Sequence, residues 1–376
     1  MNRRERLLAT LAGEPVDRPA VSFYELNGLD QDPDNPDPLN IYSHPSWRPL
    51  LELTRERTDC IVMRGVAFKE IAPDPIAHLA TDETWQQDGS VFTRRTVAAG
   101  SRTLTMQTRR DRDIDTLWTT EHLLKGPDDL RAFLALPPAA VGGTVDAGPF
   151  LAAEAALGDA GIVMIDTPDP LCLAALLFDM GEYTVTAWTE PTLFHQLLER
   201  FAAPLLSVTE EVARRLPGRL WRIYGPEFAA APYLPPRLFR EYVCRHDRPM
   251  IDIIHRFGGY ARIHSHGRLA GILDDIAALG ADALDPIEPP PQGDVDLSYV
   301  RQRYGEQLVL FGNLEVSDIE TLPPDRFAEK VKRALEEGTS GSGRGFVLMP
   351  SASPYGRELP LRVLKNYEVI AEAAGL

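Results

Sequence analysis

Cysteine is scarce in this chain, and the cysteines that occur lie far apart. Cys60, Cys172 and Cys244 are the only three among 376 residues. So few, so widely scattered, they argue against a disulfide framework and are typical of a protein that works in a reducing compartment. We therefore expect a cytoplasmic location.

Long apolar runs are also missing. No stretch approaches the roughly 20 apolar residues that a transmembrane helix needs. The opening MNRRERLLATLAGEPVDRP has charges, but neither the apolar core nor the small-residue cleavage site of a secretory signal. It favours a short amphipathic helix with Leu7, Leu8 and Leu11 on one side and Gly13 at its end. We therefore expect no signal peptide and no membrane span.

Positive charge is in short supply. The chain has 39 basic and 55 acidic side chains, a formal net charge of −16, and no basic tract. This balance makes nucleic acid and anionic membranes unfavourable partners, which leaves a small molecule or another protein. The apolar content of 44% is globular and suffices for a large core. A homodimer is compatible with this composition.

Short apolar runs alternate with helical patterns along the chain. The eight runs are 19–28, 60–66, 161–170, 220–228, 261–267, 283–290, 308–315 and 346–356. Near-continuous apolar strands that alternate with helices are typical of a parallel sheet covered on both faces. Eight such units predict one α/β domain over residues 1–376, a (β/α)₈ TIM barrel with an N-terminal helix. An open doubly wound sheet is the alternative, but no GxGxxG follows the first strand.

Residues 77–120 interrupt this alternation. Polar and β-favouring residues alternate there around the turns QDGS and AAGS. The pattern predicts an inserted antiparallel β-hairpin or small three-stranded sheet after the second strand. It could form a rim or docking surface beside the active site, or it could simply stabilise the barrel.

Polar side chains cluster where the predicted strands end, which is where barrel enzymes place catalytic groups. Some of these acids could instead cap helices. The predicted members include Tyr24, Glu25, Asn27, Arg64, Asp166, Tyr224, Glu227, Asp285, Asn313, Glu315, Ser353 and Tyr355.

The segment YARIHSHGRL places two histidines two residues apart on one predicted strand. Because side chains alternate along a strand, Arg262, His264 and His266 should share one face. Glu288 ends the next strand at a matching depth, so it can approach both imidazoles. Two histidines and a carboxylate can bind a catalytic zinc ion. A His–Glu hydrogen bond without metal is the alternative.

Several segments together resemble the uroporphyrinogen decarboxylase superfamily. They are NRRERLLATLAGEPVDRPAV at the start, GADALDPIE, LFGNLE, and SPYGRELPLRVLKNYEVI at the end, so the resemblance spans the chain. The superfamily holds porphyrinogen decarboxylases and zinc-dependent methyltransferases that serve cobalamin or coenzyme M. The resemblance thus implies a barrel enzyme of one of these two kinds.

The resemblance also implies roles for the histidine segment. In the methyltransferases the zinc strand ends in His-x-Cys and a later cysteine completes the site. A related methionine synthase adds a glutamate about two dozen residues further on. His264 matches the motif's histidine, His266 stands where its cysteine would be, and Glu288 falls where the glutamate would be. The last cysteine has no counterpart, because Ser351 or Ser353 stands there, and both thiolates are therefore replaced.

The resemblance favours the methyltransferases over the porphyrinogen decarboxylases. The decarboxylases carry an arginine-rich stretch after the first strand, where this chain has the acidic FYELNGLDQDPDNPD. A polyanionic porphyrinogen would be repelled there unless arginines elsewhere compensated.

We therefore expect a zinc- or other metal-dependent methyltransferase with a small methylated substrate and a corrinoid on a partner protein. The metal ligands would be His264, His266 and Glu288. The catalytic groups would be Asp166, Tyr224, Glu227 and Tyr355, and the substrate-binding groups Tyr24, Glu25, Asn27, Arg64, Arg262, Asn313, Ser353 and Arg357. A decarboxylase or lyase with Arg262 or Arg357 holding a carboxylate is the first alternative. A non-catalytic ligand-binding barrel is the second.

Overall fold

The computed structural model describes residues 1–71, 73–138 and 143–375. Within these ranges there are fourteen strands and fourteen α-helices. The strands are β1 (Ala20–Val21), β2 (Cys60–Arg64), β3 (Ala67–Lys69), β4 (Ala80–Gln87), β5 (Ser90–Ala99), β6 (Arg102–Asp111), β7 (Ile114–Glu121), β8 (Thr144–Asp146), β9 (Gly161–Pro168), β10 (Leu220–Tyr224), β11 (Tyr260–Ser265), β12 (Ala283–Pro286), β13 (Val309–Leu314) and β14 (Phe346–Pro350). The helices are α1 (Arg3–Ala12), α2 (Arg48–Arg57), α3 (Pro127–Ala135), α4 (Gly148–Leu157), α5 (Pro170–Ala175), α6 (Met180–Thr189), α7 (Pro191–Arg215), α8 (Pro236–Phe239), α9 (Arg245–Arg256), α10 (Leu273–Ala278), α11 (Leu297–Tyr304), α12 (Val316–Thr321), α13 (Pro324–Gly338) and α14 (Leu361–Ala373).

Eight of the strands form one parallel sheet that curls into a barrel. Their order is β1, β14, β13, β12, β11, β10, β9 and β2. The two ends of the sheet approach each other, because the Asp59 backbone amide donates to the Val21 carbonyl at 2.7 Å. Each of these eight strands lies within or overlaps one predicted apolar run, so the predicted (β/α)₈ barrel is confirmed.

Helix α1 closes the N-terminal end of the barrel. Asn2 caps it through a 2.7 Å bond from the Glu5 amide, and Gly13 ends it with a left-handed φ of 73°. Leu7 and Leu11 are buried among the side chains that fill the barrel interior. The predicted N-terminal helix thus plugs the bottom, which leaves the opposite end as the open mouth.

The insertion after β2 has more strands than the sequence indicated. Strands β4, β5, β6 and β7 form a four-stranded antiparallel sheet, so the inserted antiparallel element is confirmed, with one strand more than the largest number expected. The extra turn, Arg112–Asp113 between β6 and β7, contains no glycine and gave no turn signal. Leu104 on β6 is buried, and both β5 and β6 contact α3.

The inserted sheet also reaches the loops at the mouth end of the barrel. The Asp115 backbone amide donates to the Tyr355 carbonyl at 2.8 Å, in the loop that follows β14. Arg110 lies 3.6 Å from Asp37, in the loop that follows β1. The insertion therefore borders the side of the barrel where the strands end. Along the described part of the chain, no helix is long and apolar enough to cross a membrane.

Candidate active site

His264 is held between an acid and a phenol. It lies on β11 opposite Asp285 of β12, and its Nδ1 is 2.8 Å from Asp285 Oδ2. Its Nε2 is 3.4 Å from the hydroxyl of Tyr24, which reaches the barrel from the other end of the sheet. All three side chains are buried. Both ring nitrogens of His264 therefore already have protein partners.

Two buried arginines extend this network across neighbouring strands. Arg222 on β10 donates to both carboxylate oxygens of Asp166 on β9, at 2.6 and 3.1 Å, and also to the Tyr24 hydroxyl. Arg262 on β11 lies 3.0 Å from Asp285 Oδ1 and 4.8 Å above the ring of Phe311. Each arginine thus has its own carboxylate, as buried charges require.

Burial and the neighbouring charges shift the pKa values of Asp285, Arg262 and Tyr24. Burial disfavours the Asp285 carboxylate, but Arg262, His264 and Arg222 outweigh that effect and lower its pKa to about 2. Burial lowers the pKa of Arg262, which Asp285 partly opposes. Burial also raises the pKa of Tyr24, so the phenol keeps its proton. Asp285 is therefore a fixed negative charge at neutral pH.

His266 forms a second, more accessible pair. Its Nδ1 lies 2.9 Å from Glu288 Oε1, while Glu288 Oε2 accepts the Gly267 amide at 2.6 Å. Burial lowers the pKa of His266, but the hydrogen bond and charge of Glu288 exceed this, so its pKa is raised overall. Burial acts against the Glu288 carboxylate too, yet His266 brings its pKa below the ordinary value. His266 and Glu288 therefore form an ion pair at pH values between the lowered pKa of Glu288 and the raised pKa of His266.

A cleft of about 370 Å³ opens onto His266. Its walls are the first residue of α6 and the loops that follow β10, β11 and β12. They include Met180, Glu227, Phe228, Tyr233, Arg268 and Gln292. Because Glu288 binds Nδ1, Nε2 is the nitrogen of His266 that is left for a ligand. The cleft combines a proton donor, a carboxylate at Glu227, a cation at Arg268 and apolar walls, which is typical of a small-molecule site.

The predicted zinc ligands do not form a three-ligand group here. Across residues 1–71, 73–138 and 143–375, no set of three His, Cys, Asp or Glu side chains is arranged to hold a metal ion. His264 and His266 each bind a different carboxylate through Nδ1. A metal at His264 would have to replace Tyr24 or Asp285, so this donor set as placed does not fit zinc.

Other predicted residues occupy different surroundings. The Tyr224 ring lies 5.0 Å from the Arg222 guanidinium, and burial raises its pKa to about 12. Glu227 Oε2 accepts the Gly225 amide at 3.1 Å. Ser353 donates to Glu25 at 2.9 Å. Tyr224 joins the arginine network and Glu227 lines the cleft, whereas Glu25 and Ser353 form a pair of their own.

Four predicted residues stabilise loops instead of joining the network. Asn27 accepts amides of its own loop, and Arg64 binds Asp30. Arg357 donates to backbone carbonyls of residues 38, 40 and 112. Tyr355 is half exposed on the loop that meets the inserted sheet. Arg357 is thus occupied and is not placed as a carboxylate clamp.

The site also contains three groups to which the sequence analysis gave no catalytic, binding or metal role, although it placed Asp285 in the cluster of strand-end polar residues. Arg222 and Asp285 belong to the network, and Arg268 lines the cleft. Their positions on predicted strands were readable from the sequence, but their pairing was not, because strand register sets Arg222 beside Arg262 and Asp285 beside His264. Arg268 lies on a loop and has no periodic signal.

Comparison with known proteins identifies the family. A model of the uroporphyrinogen decarboxylase (URO-D) family matches residues 163–356, more than half of the chain. The chain belongs to the uroporphyrinogen decarboxylase family. The match begins within β9 and continues beyond β14, so it includes His264, His266, Arg222, Asp285 and Glu288. No curated protein matches this URO-D family member in sequence.

A solved methyltransferase structure has the same fold. A methyltransferase from Methanosarcina mazei is similar, with a TM-score of 0.61 and 16% identity over 100% of this chain and 98% of that chain. At this identity the similarity shows a shared fold. A GH5-4 broad-specificity endoglucanase from Bacteroides salanitronis has a TM-score of 0.33 and 10% identity, over 61% of this chain and 77% of that one. That score is too low to indicate a common fold.

Proposed function

We propose that this URO-D family member is a methyltransferase that exchanges a methyl group between a small methylated compound and a corrinoid on a separate protein. The observation that carries the proposal is that the two buried arginines of the network are already paired with carboxylates. Arg222 and Arg262 are each neutralised by a carboxylate, Asp166 and Asp285. A polycarboxylate such as a porphyrinogen would need several free cations, so a neutral or cationic methylated substrate is favoured.

His266 supplies the chemistry that such a reaction needs from the protein. When a methyl group leaves an oxygen or nitrogen, that atom keeps the bonding electron pair and gains a proton. Protonated His266 can donate this proton from Nε2, because Glu288 holds Nδ1 and raises the His266 pKa. In the reverse direction the neutral imidazole would accept the proton. The corrinoid would supply the methyl acceptor or donor.

The cleft walls suit a small, largely apolar substrate. Met180, Phe228 and Tyr233 offer apolar contacts, and Glu227 could bind a cationic nitrogen or an N–H donor. Asp285 and Tyr24 act one layer deeper and hold His264 in position. Zinc at His264, His266 and Glu288 would require these side chains to leave the partners described above, and no step of this mechanism depends on it.

The test is methyl transfer to free cob(I)alamin, which replaces the corrinoid protein. The purified protein is incubated with methylated amines or methoxylated compounds, and loss of the cob(I)alamin absorption reports methylation. We expect turnover with at least one of these classes and loss of turnover in His266→Ala. A protein that methylates cob(I)alamin with none of them, yet releases CO₂ from a carboxylated compound, would disprove the proposal.

Arg268 supports a carboxy-lyase acting on a substrate with one carboxylate as a second candidate. Arg268 lines the same cleft as His266, and no ion pair engages it within the described residues. It could hold a carboxylate while His266 protonates the carbon that loses CO₂. Arg268→Ala would then abolish CO₂ release, whereas the methyltransferase proposal predicts a smaller effect on cob(I)alamin methylation.

A further inference from the structure

A second cavity lies outside the barrel wall, behind the loop that follows β12. Its volume is about 110 Å³, and it is bounded by the end of β13 and by α11, α12 and α13. Pro289 lines this cavity, whereas Pro291 and Gln292 of the same loop line the His266 cleft. The two spaces share no lining residue, so the loop separates them.

Glu315 lines this cavity and has one unpaired carboxylate oxygen. The residue is only 6% exposed, and Oε1 accepts the Ser317 amide at 3.4 Å. Oε2 is buried and has no hydrogen-bond partner within the described residues. The Ser351 hydroxyl is nearby and favours the ionised form of the Glu315 carboxyl. It does not donate a hydrogen bond of good geometry to Oε2. A buried carboxylate oxygen without a donor is costly, so this atom needs a ligand.

The remaining walls carry more negative than positive charge. Asp296, Asp318 and Glu337 line the cavity together with Glu315, against Lys330 and Arg333. The Lys330 ammonium is already bound to Asp318 Oδ2 at 2.5 Å. Four carboxylates against two cations favour a positively charged ligand over an anion.

The volume limits the size of that ligand. An apolar cavity of roughly 150 Å³ accepts benzene, so about 110 Å³ accommodates roughly four to six non-hydrogen atoms. Leu297, Phe327 and Ala334 give part of the wall an apolar character. Alkyl groups on a cationic nitrogen would pack there while the nitrogen faces Glu315.

We propose that this cavity is a binding site for a small alkylammonium ion, with Glu315 as its counter-ion. The site is distinct from the His266 cleft and does not depend on the proposed methyl transfer. The Glu315 pKa agrees with this role, since burial and the negative charge of Glu288 both raise it. A bound cation would offset both effects and, through Glu288, would connect the cavity electrostatically to His266.

The experiment measures binding of dimethylammonium chloride to the full-length protein by calorimetry. We expect the ion to bind at this cavity, and Glu315→Gln to weaken that binding at least tenfold, which is about 1.4 kcal/mol. Glu329→Gln is the matched control, because Glu329 is an exposed glutamate on α13 and its loss removes the same charge. Ala334→Leu, which fills the cavity without changing charge, should also abolish binding.

Other ligands distinguish the alternatives. Tetrabutylammonium is too large and sodium acetate has the wrong charge, so neither should compete. Equal binding to wild type and Glu315→Gln, stronger binding of acetate, or no binding of dimethylammonium would overturn the proposal. His266→Ala should leave binding within a few-fold of wild type; an effect as large as that of Glu315→Gln would assign the ion to the active-site cleft.

Discussion

Nδ1 of His266 lies 2.9 Å from Oε1 of Glu288, although the two residues belong to different βα units of the barrel. Glu288 also accepts the Gly267 amide through its second oxygen. The carboxylate therefore fixes the orientation of the ring and leaves Nε2 for the cleft. Because the pair raises one pKa and lowers the other, it makes stability depend on pH.

Glu288→Gln should destabilise the protein in a narrow pH range. The His266 pKa is raised above 6.5, so its contribution is complete below that value and is lost as pH rises through the folded-state pKa. The Glu288 pKa is lowered from 4.5, so its contribution is lost at acid pH. We expect Glu288→Gln to lower the free energy of unfolding by about 1 kcal/mol between pH 5 and 6, a modest value because the His266 side chain is partly exposed. At pH 8.5 the loss should be smaller, because His266 is then neutral. Urea unfolding of both proteins at the two pH values checks this; an undiminished difference at pH 8.5 would contradict it.

Asp285→Asn should be far more costly. Asp285 is fully buried and compensates Arg262, which is 1% exposed. Its loss leaves a buried guanidinium without its carboxylate, so we expect about 3 to 5 kcal/mol of lost stability at pH 7. In the wild type this contribution should fade as pH falls from 3.8 through about 2. Denaturant unfolding measures both effects. Asp252→Asn, at an exposed site on α9, is the control and should change stability by less than about 0.5 kcal/mol.

Metal analysis of protein purified without added metal tests the zinc prediction. If zinc binds, one equivalent per chain should be present and His266→Ala should remove it while leaving the fold nearly intact. Because Tyr24 lies beside Nε2 of His264, Tyr24→Phe should then increase zinc affinity. Stoichiometric metal retained in His266→Ala would show that the ion is bound elsewhere.

Two leucines of the inserted sheet provide a matched pair. Leu104 is 1% exposed and packs in the main core, whereas Leu117 on the adjacent strand is 62% exposed. Leu104→Ala should lower the free energy of unfolding by about 2 to 4 kcal/mol, and Leu117→Ala by less than about 0.5 kcal/mol. Comparable losses, measured by thermal or urea unfolding, would show that the sheet does not pack as described.

Local patterns in the sequence determined the barrel and the position of its mouth. The strands within apolar runs such as 161–170 and 346–356 are buried on both faces, and their near-continuous apolar character is visible residue by residue. The alternation in YARIHSHGRL likewise predicts that Arg262, His264 and His266 share a face. The same local signal failed in the insertion, where the Arg112–Asp113 turn lacks glycine and the fourth strand was missed.

The partners of the site residues were decided only by tertiary structure. Tyr24 and His264 are 240 positions apart and meet because β1 and β11 belong to one curled sheet. Strand register places Asp285 opposite His264 and Arg222 opposite Arg262. The register thereby determines which carboxylate lies close enough to bind each histidine or arginine. Register and closure depend on how the whole core packs, and no local pattern encodes them. The sequence therefore identifies the histidines, while the packed barrel determines that each is bound to its own carboxylate.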